Sequence, residues 1–251
     1  MSAADPLAPP PPLADLSAET PVSVFLDFDG TLVDIAATHD AIVVPRFLRG
    51  ALVSLGRRLE GRLAIVTGRS LDDLESHLGP VELAKAGSHG SDRRHANGAT
   101  LGDAPAPLPE QARDALDSFA KSETGVTIEA KPHGAAIHYR ARPDAAEVVA
   151  ERARNVADSF GLTLKQGKFV VELLASTSDK GSALEAFLGG PPFAGSLPVF
   201  IGDDITDEDG FDAAASNGGF GILVGEPRET HARYRLDGTD AVYRWLELGN
   251  A

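Results

Sequence analysis

Short apolar segments that alternate with amphipathic helical segments are the feature that most constrains the fold of this chain. Residues 22–26 (VSVFL) are a nearly continuous apolar run, and residues 62–66 and 83–86 are two further predicted strands. Strands of this kind are typical of a parallel sheet that is buried on both faces. Between them, residues 45–59 and 71–78 have the apolar spacing of helices. The sequence therefore predicts an α/β fold built on an open parallel sheet.

This pattern is interrupted once, by a segment in which neighbouring strands are predicted without a helix between them. The segment combines two helices, 110–120 and 145–160, with two strand pairs, 126–131 with 135–140 and 162–165 with 169–173. The α/β pattern then returns, with strands 197–201 and 220–224 and helices 181–188, 208–215 and 240–248. We therefore expect a core domain of residues 21–103 and 178–251, an inserted α+β domain of residues 104–177, and a flexible Pro-rich tail of residues 1–20.

Composition and charge exclude several classes of function. The chain has no cysteine, which excludes disulfides, thiolate metal sites and cysteine nucleophiles. Its formal net charge is −14, so its surface repels nucleic acid and anionic membranes at long range. No apolar run approaches the roughly 20 residues of a membrane-spanning helix, and the N-terminus lacks the pattern of a secretory signal. We expect a cytoplasmic monomer whose partner is a small molecule, with neither nucleic acid nor membrane as a partner.

Two aspartates directly follow the first predicted strand. Residues 27–31 read Asp-Phe-Asp-Gly-Thr, and ligands of open α/β sheets bind beyond the carboxyl ends of the strands. Residues i and i+2 of an extended segment point the same way, so Asp27 and Asp29 can converge. Two converging carboxylates stay ionised only beside a cation, and oxygen ligands without thiolates suit Mg²⁺. An aspartate-capped turn is the alternative interpretation of this segment.

Three further segments place polar groups at similar positions. Gly202-Asp203-Asp204 follows the strand ending at residue 201, and Thr67-Gly68-Arg69 follows the strand ending at residue 66. Asp179-Lys180-Gly181 stands at a predicted helix start. Loop or helix-cap chemistry could explain each segment alone. Together they supply a carboxylate nucleophile, an acid–base group, cations and a hydroxyl donor, which is the set that phosphoryl transfer requires.

On these four segments, in this order, the sequence resembles the haloacid dehalogenase-like phosphatases, and the resemblance covers nearly the whole chain after the tail. A closer resemblance is to trehalose-6-phosphate phosphatases. It rests on residues 202–209 (GDDITDED), 87–90 (GSHG), Glu129-x-Lys131 with residues 138–140 (HYR), and Glu172 before Asp179-Lys180-Gly181. Leu174-Ala175 stands where that group usually shows Arg-Pro. The resemblance implies a Rossmann-like core sheet with an inserted α+β cap domain.

The resemblance also implies roles for individual residues. Asp27 becomes an aspartyl-phosphate, and Asp29 protonates the leaving sugar oxygen and then activates water. Asp27, the carbonyl of Asp29 and Asp203 bind Mg²⁺, with Asp204 in support. Thr67 and Lys180 hold the phosphoryl oxygens. Further substrate-binding residues are expected to be Gly68, Arg69, His89, Lys131, Arg140 and Glu172, whereas His138 is expected to be a packed or solvated histidine.

The resemblance implies that the chain is a magnesium-dependent phosphatase that hydrolyses trehalose 6-phosphate. Three alternatives remain open at the level of sequence. The substrate could be another sugar phosphate, of the sucrose-phosphate or mannosyl-phosphoglycerate type. The chain could instead transfer phosphate as a mutase, or bind without catalysis as an idle homologue of the family.

Overall fold

The computed structural model describes residues 7–36, 41–103, 106–131, 133–167, 169–175 and 177–249. The chain divides into two compact units, one of residues 1–103 and 178–251 and the other of residues 104–177. None of the helices in the described segments has the length and apolar character that crossing a bilayer requires.

The first unit is built on a seven-stranded sheet. Its strands are β1 (Val22–Leu26), β2 (Leu63–Val66), β3 (Ala84–Gly87), β4 (Asp92–Arg94), β9 (Leu197–Gly202), β10 (Phe220–Val224) and β11 (Tyr234–Leu236). Their order is β11-β10-β9-β1-β2-β3-β4, and every pair is parallel except β3 with β4. The predicted α/β fold with an open, mostly parallel sheet is confirmed. The short edge strands β4 and β11 were not predicted, because three residues carry too little pattern.

Helices cover both faces of this sheet. They are α1 (Leu13–Glu19), α2 (Leu48–Arg58), α3 (Leu71–Leu78), α6 (Lys180–Leu188), α7 (Glu208–Ser216) and α8 (Thr239–Trp245). Side chains of β1 alternate between the two faces: Val24 and Leu26 join the apolar cluster that contains leucines of α2 and α3, whereas Phe25 packs with Phe187 of α6. Burial on both faces explains why the strands read as continuous apolar runs.

The N-terminal prediction is wrong for the described residues 7–20, while residues 1–6 lie outside the described part. Helix α1 begins after Pro12, and Leu13 is buried in the core cluster. The carbonyl of Pro11 accepts a hydrogen bond from the Trp245 indole at 2.8 Å, and the carbonyl of Ala8 accepts one from the backbone N–H of Arg235 at 3.1 Å. The proline run therefore leads into a helix that packs on the core.

The second unit has a four-stranded antiparallel sheet with two helices on one face. Its elements are α4 (Glu110–Ser122), β5 (Thr127–Lys131), β6 (Gly134–His138), α5 (Ala146–Phe160), β7 (Thr163–Gly167) and β8 (Val170–Leu174), with strand order β5-β6-β8-β7. Ile137 and Val171 pack with Leu116 of α4 and Val149 of α5 in a separate core. The other face of the sheet is left for polar side chains.

Candidate active site

The carboxyl ends of neighbouring strands bring the predicted motifs together. Strand β1 lies between β9 and β2, and all three run parallel. Asp27 leaves the end of β1, Asp203 follows β9, and Thr67 follows β2. Lys180 is the first residue of α6 and is buried. The site therefore forms at the carboxyl ends of the central strands, where ligands of open α/β folds bind.

Lys180 is the centre of a buried ion cluster. Its Nζ donates to Asp27 Oδ1 at 2.7 Å and to Asp207 Oδ1 at 2.6 Å. The other carboxylate oxygen of Asp207 accepts the backbone N–H groups of Asp203 at 3.0 Å and Asp204 at 2.9 Å. Asp207 thereby fixes both the lysine and the loop that carries Asp203. Charge-assisted bonds of this kind in a buried site hold their partners in one geometry.

The carboxylates of this cluster repel one another and are poorly solvated. Burial raises the pKa of Asp27 well above its usual range, and Asp207 and Asp203 raise it further, although Lys180 opposes them. Burial, followed by the charge of Asp207, raises the pKa of Asp203 to about 7. Burial alone would lower the pKa of Lys180, but Asp207 and Asp27 outweigh it and the pKa is raised. The cluster is thus short of positive charge around Asp27 and Asp203.

The arrangement fits a hard divalent cation. Carboxylate oxygens of Asp27, Asp203 and Asp207 all lie within 4.8 Å of one another. Asp203 Oδ1 is buried and has no hydrogen-bond partner among the described residues, so it is available as a ligand. Oxygen ligands with no nitrogen or sulfur suit a hard cation rather than a softer metal. Since Lys180 and two backbone N–H groups occupy both oxygens of Asp207, Asp27 and Asp203 are the carboxylates left to bind it.

Gly30 keeps the space beside Asp203 open. A Cβ at this position would lie 2.1 Å from Asp203 Oδ2, which is closer than any real contact. The φ angle of Gly30 is +79°, in the region that only glycine adopts readily. Glycine is therefore required at position 30 for two reasons: its φ is positive, and Asp203 leaves no room for a side chain.

Asp29 points its carboxylate to Arg69. The Nε of Arg69 donates to Asp29 Oδ2 at 2.6 Å and its Nη2 donates to Asp29 Oδ1 at 2.7 Å. A third guanidinium nitrogen, Nη1, donates to Asp73 Oδ2 at 2.6 Å. The Arg69 side chain is 3% exposed. The guanidinium of Arg69 is thus held by carboxylates of its own unit, which differs from the predicted role of a substrate-binding residue.

The Gly87-Ser88-His89-Gly90 segment is a strained turn that supports the segment after β2. Ser88 and His89 both have left-handed backbone angles, with φ of 49° and 57°. Their N–H groups donate to the carbonyls of Arg69 at 2.7 Å and Thr67 at 3.0 Å. The ring of His89 packs so closely on Gly68 that a Cβ there would lie 2.7 Å from it. His89 and Gly68 are therefore brought together beside Thr67.

The predicted sugar-binding residues of the second unit share one face of its sheet. Lys131 Nζ donates to Glu172 Oε1 at 2.6 Å, and both side chains are largely buried. The strand register places Glu129 and Glu172 on either side of Ala136, with Lys165 beyond Glu172. This face offers carboxylates and ammonium groups that can bind hydroxyls.

Arg140 is the remaining candidate of the second unit, and His138, which was not predicted to bind, lies on the same face of the sheet as Glu129. The ring of His138, predicted to be a packed or solvated histidine, contacts Glu129 at 2.8 Å. Arg140 lies after β6 and is exposed.

Sequence reasoning missed two buried or half-buried carboxylates and misplaced one. Asp207 and Asp73 were not predicted as site residues. Asp204, predicted to support the metal, is exposed and uses its carboxylate to accept the N–H of Ile205 at 2.7 Å. In the described cluster the third carboxylate is Asp207 instead. No local pattern in the sequence marks Asp207; the structure shows its side chain packed on Gly202, where a Cβ would lie 2.2 Å from it.

Comparisons with known proteins agree on one family. The family model described as trehalose-phosphatase matches residues 25–240. The trehalose-6-phosphate phosphatase of Escherichia coli K12 is 36% identical over 226 residues, which is 89% of this chain and 85% of that protein. The C-terminal domain of a trehalose-6-phosphate phosphatase from Candida albicans superposes with a TM-score of 0.80 at 22% identity, covering 99% of this chain and 98% of that one. A Bacteroides thetaiotaomicron phosphatase of the haloalkanoate (HAD) superfamily has the same fold, with a TM-score of 0.61 at 16% identity over 91% and 94% of the two chains.

Proposed function

The chain belongs to the trehalose-phosphatase family, and from this membership we propose that it hydrolyses trehalose 6-phosphate to trehalose and inorganic phosphate with Asp27 as nucleophile. The observation that carries the proposal is the buried pair of Lys180 with Asp27, beside Asp203 at the end of the neighbouring strand. A carboxylate nucleophile needs a cation that holds it in place while a phosphoryl group approaches, and Lys180 supplies one.

The first half-reaction transfers the phosphoryl group to the enzyme. An oxygen of the Asp27 carboxylate forms a bond to phosphorus as the bond from phosphorus to the sugar oxygen breaks. The electron pair of that bond stays on the sugar oxygen, which takes a proton from the carboxyl of Asp29. A sugar alkoxide is a poor leaving group, so this proton transfer is essential to the step.

The second half-reaction returns the enzyme to its starting state. Asp29, now a carboxylate, takes a proton from water while the water oxygen bonds to phosphorus. The bond between phosphorus and Asp27 breaks, and its electron pair restores the Asp27 carboxylate. The sum of both halves is one ester and one water converted to one alcohol and one phosphate.

Positive charge and hydrogen-bond donors are needed around the phosphoryl oxygens throughout. The raised pKa of Lys180 keeps its ammonium charged beside Asp27, which supports a role in binding one of these oxygens. Thr67 is buried at the end of β2, and its hydroxyl accepts a hydrogen bond from the N–H of Arg69 at 3.1 Å, which leaves its own proton for a phosphoryl oxygen.

Magnesium is the proposed cofactor of this site. Asp27 and Asp203 would hold it with their carboxylates, together with the backbone carbonyl of Asp29. When bound, Mg²⁺ neutralises negative charge between the carboxylates and the phosphoryl group. The partnerless oxygen of Asp203 and the space left by Gly30 support this assignment.

The second unit is proposed to recognise the sugar. The polar face that carries Lys131, Glu172 and Glu129 supports this role, because the rejection of wrong sugars requires buried groups that are satisfied only by the right hydroxyls. Residues 104–177 would then act as the cap domain that closes the site during turnover.

Release of inorganic phosphate from a panel of esters tests the proposed function. The panel contains trehalose 6-phosphate, sucrose 6-phosphate, glucose 6-phosphate and p-nitrophenyl phosphate, each with Mg²⁺ and with a chelator. We expect Mg²⁺-dependent release that strongly favours trehalose 6-phosphate and is lost in Asp27→Asn. Preference for another ester would refute the substrate, and no release from any ester would favour an idle binding homologue.

A further inference from the structure

We propose that Arg69 is a positioning residue that fixes the rotamer of Asp29. Its fork holds both oxygens while Asp29 is ionised, and one of the two bonds remains when the other oxygen carries the proton for the leaving group. Asp73 in turn orients Arg69. The inference rests on the proposed function, because it takes Asp29 as the acid–base group. It assigns Arg69 to the reaction without contact between Arg69 and the substrate.

The contact between Arg69 and Asp29 has the geometry of a fork that meets both oxygens of a carboxylate. Nε and Nη2 donate to different oxygens of Asp29, at 2.6 and 2.7 Å. Two parallel bonds fix the rotation of the carboxylate as well as its position. Asp29 is 36% exposed, so without this partner its side chain would have several rotamers open to it.

Arg69 itself is anchored along its whole length. Its backbone N–H donates to Thr67 Oγ1 at 3.1 Å, and its carbonyl accepts the N–H of Ser88 at 2.7 Å. Its guanidinium lies 6.0 Å from the centre of the Phe28 ring and donates through Nη1 to Asp73. Burial alone would lower the pKa of Arg69, but its bonds to Asp29 and Asp73 raise it. Because these contacts fix the Arg69 guanidinium in one place, it can fix the position of the Asp29 carboxylate.

Asp73 is placed by the start of helix α3. The hydroxyl of Ser70, the residue before the helix, accepts the N–H of Asp73 at 3.2 Å and caps the helix. Arg69 lies two residues before the helix and Asp73 in its first turn, and their side chains meet at 2.6 Å. The segment after β2 therefore supplies Thr67 to the phosphoryl site and, two residues later, the support for the acid–base group.

The inference predicts a particular kinetic signature. Displacing a catalytic group by about 1 Å costs on the order of 100-fold in rate. Lysine keeps the charge of Arg69 but not its fork, so Arg69→Lys should lower kcat for trehalose 6-phosphate by roughly 10- to 100-fold and leave KM nearly unchanged. A residue that binds substrate in both ground and transition states would instead raise KM.

Two substrates with different leaving groups distinguish a misplaced acid group from a general loss of catalytic activity. p-Nitrophenolate leaves without protonation, whereas the sugar oxygen needs a proton. In rapid-mixing experiments with Mg²⁺, Arg69→Lys should keep the first-turnover rate for p-nitrophenyl phosphate within a few-fold of wild type and lose it for trehalose 6-phosphate. The matched control is Arg58→Lys, the same change at an exposed pair with Glu247 in the same unit, and it should behave as wild type.

A double-mutant cycle tests whether Arg69 acts through Asp29. If it does, Arg69→Lys lowers the rate in the wild-type background and has no further effect on Asp29→Asn. Asp73→Asn should show the same pattern with a smaller loss, and it keeps the inference testable if Arg69→Lys does not fold.

Three outcomes would overturn the inference about Arg69 and leave the proposed function standing. They are a raised KM with kcat unchanged, equal losses of rate for both leaving groups, and additive effects in the double-mutant cycle. Wild-type behaviour of Asp29→Asn would instead overturn the acid–base role of Asp29, the part of the proposed function on which the inference rests.

Discussion

Replacing Lys180 with methionine should destabilise the protein strongly, because it leaves buried carboxylates without their cation. In the wild type, Lys180 bonds Asp27 and Asp207 at 2.7 and 2.6 Å, and all three side chains are almost fully buried. Removing one partner of a buried ion pair costs about 3–5 kcal/mol. For a chain of 251 residues, the unfolding temperature shifts by about 2–4 °C per kcal/mol, so we expect a loss of roughly 6–20 °C.

The same reasoning predicts how the loss depends on pH. Lys180 opposes the rise in the pKa of Asp27 that burial causes, so Lys180→Met raises that pKa further. The folded variant then holds a proton that the unfolded chain has released, and its stability falls as pH rises. The deficit relative to wild type should therefore be larger at about pH 8 than at about pH 5.5.

Urea unfolding of metal-free protein at both pH values measures the effect. Lys121→Met is the control, since Lys121 is exposed on α4 and its substitution should change the free energy of unfolding by less than about 0.5 kcal/mol. An unfolding midpoint for Lys180→Met that matches this control at both pH values would refute the buried ion cluster.

Three further predictions follow from the core and the carboxylate cluster. Since the pKa values of Asp27 and Asp203 are raised, metal-free protein should lose stability as pH rises towards and beyond about 7, and the stabilisation by Mg²⁺ in thermal-shift assays should grow over the same range; a shift that is independent of pH would contradict this. Gly30→Ala should abolish Mg²⁺-dependent turnover, because the new Cβ would collide with Asp203. The control Gly98→Ala carries the same backbone strain of about 1–2 kcal/mol but has no described atom within 4 Å, so it should keep turnover. Equal loss in both variants would show that strain alone is responsible. Leu13→Ala should cost about 2–5 kcal/mol in chemical unfolding, because Leu13 is buried in the core cluster, and a cost near zero would mean that the N-terminal helix does not contribute.

The sheet and the ends of its strands could be predicted from sequence because both follow from simple physical rules. Strand β1 is buried on both faces, so its residues are apolar without alternation. The carboxyl ends of parallel strands lie on the same side of a sheet. The aspartates after residues 26 and 202 therefore had to be neighbours once β1 and β9 paired. These rules need only local pattern and strand direction.

The supporting residues of the site depend on contacts that local pattern does not report. Asp204, Asp207 and Asp209 are all acidic residues at a helix start, and only the fold of the loop shows that Asp207 turns inward. The fork of Arg69 reaches a carboxylate 40 residues earlier in the chain. The side chain of an arginine beside a predicted phosphate site is equally suited to substrate or to a carboxylate, so its partner is known only from the structure.

The N-terminal segment shows a different limit. Four consecutive prolines favour an extended, solvated chain, and the prediction of a flexible tail rested on them; the apolar pair of Leu13 and Leu16 follows directly. The extended Pro12 leads directly into helix α1, whose buried face is that pair. A short amphipathic helix after a proline run needs tertiary packing to form, which the sequence pattern alone does not reveal.

Chemical trapping of the phosphorylated enzyme tests the central claim most directly. Borohydride reduces an aspartyl-phosphate to homoserine, which peptide mass spectrometry locates. Asp29→Asn with p-nitrophenyl phosphate and Mg²⁺ should accumulate the intermediate, because the leaving group needs no proton but the water does need a base. We predict homoserine at position 27 only when the ester is present; homoserine at Asp203 or Asp207 instead, or at no position, would contradict the account.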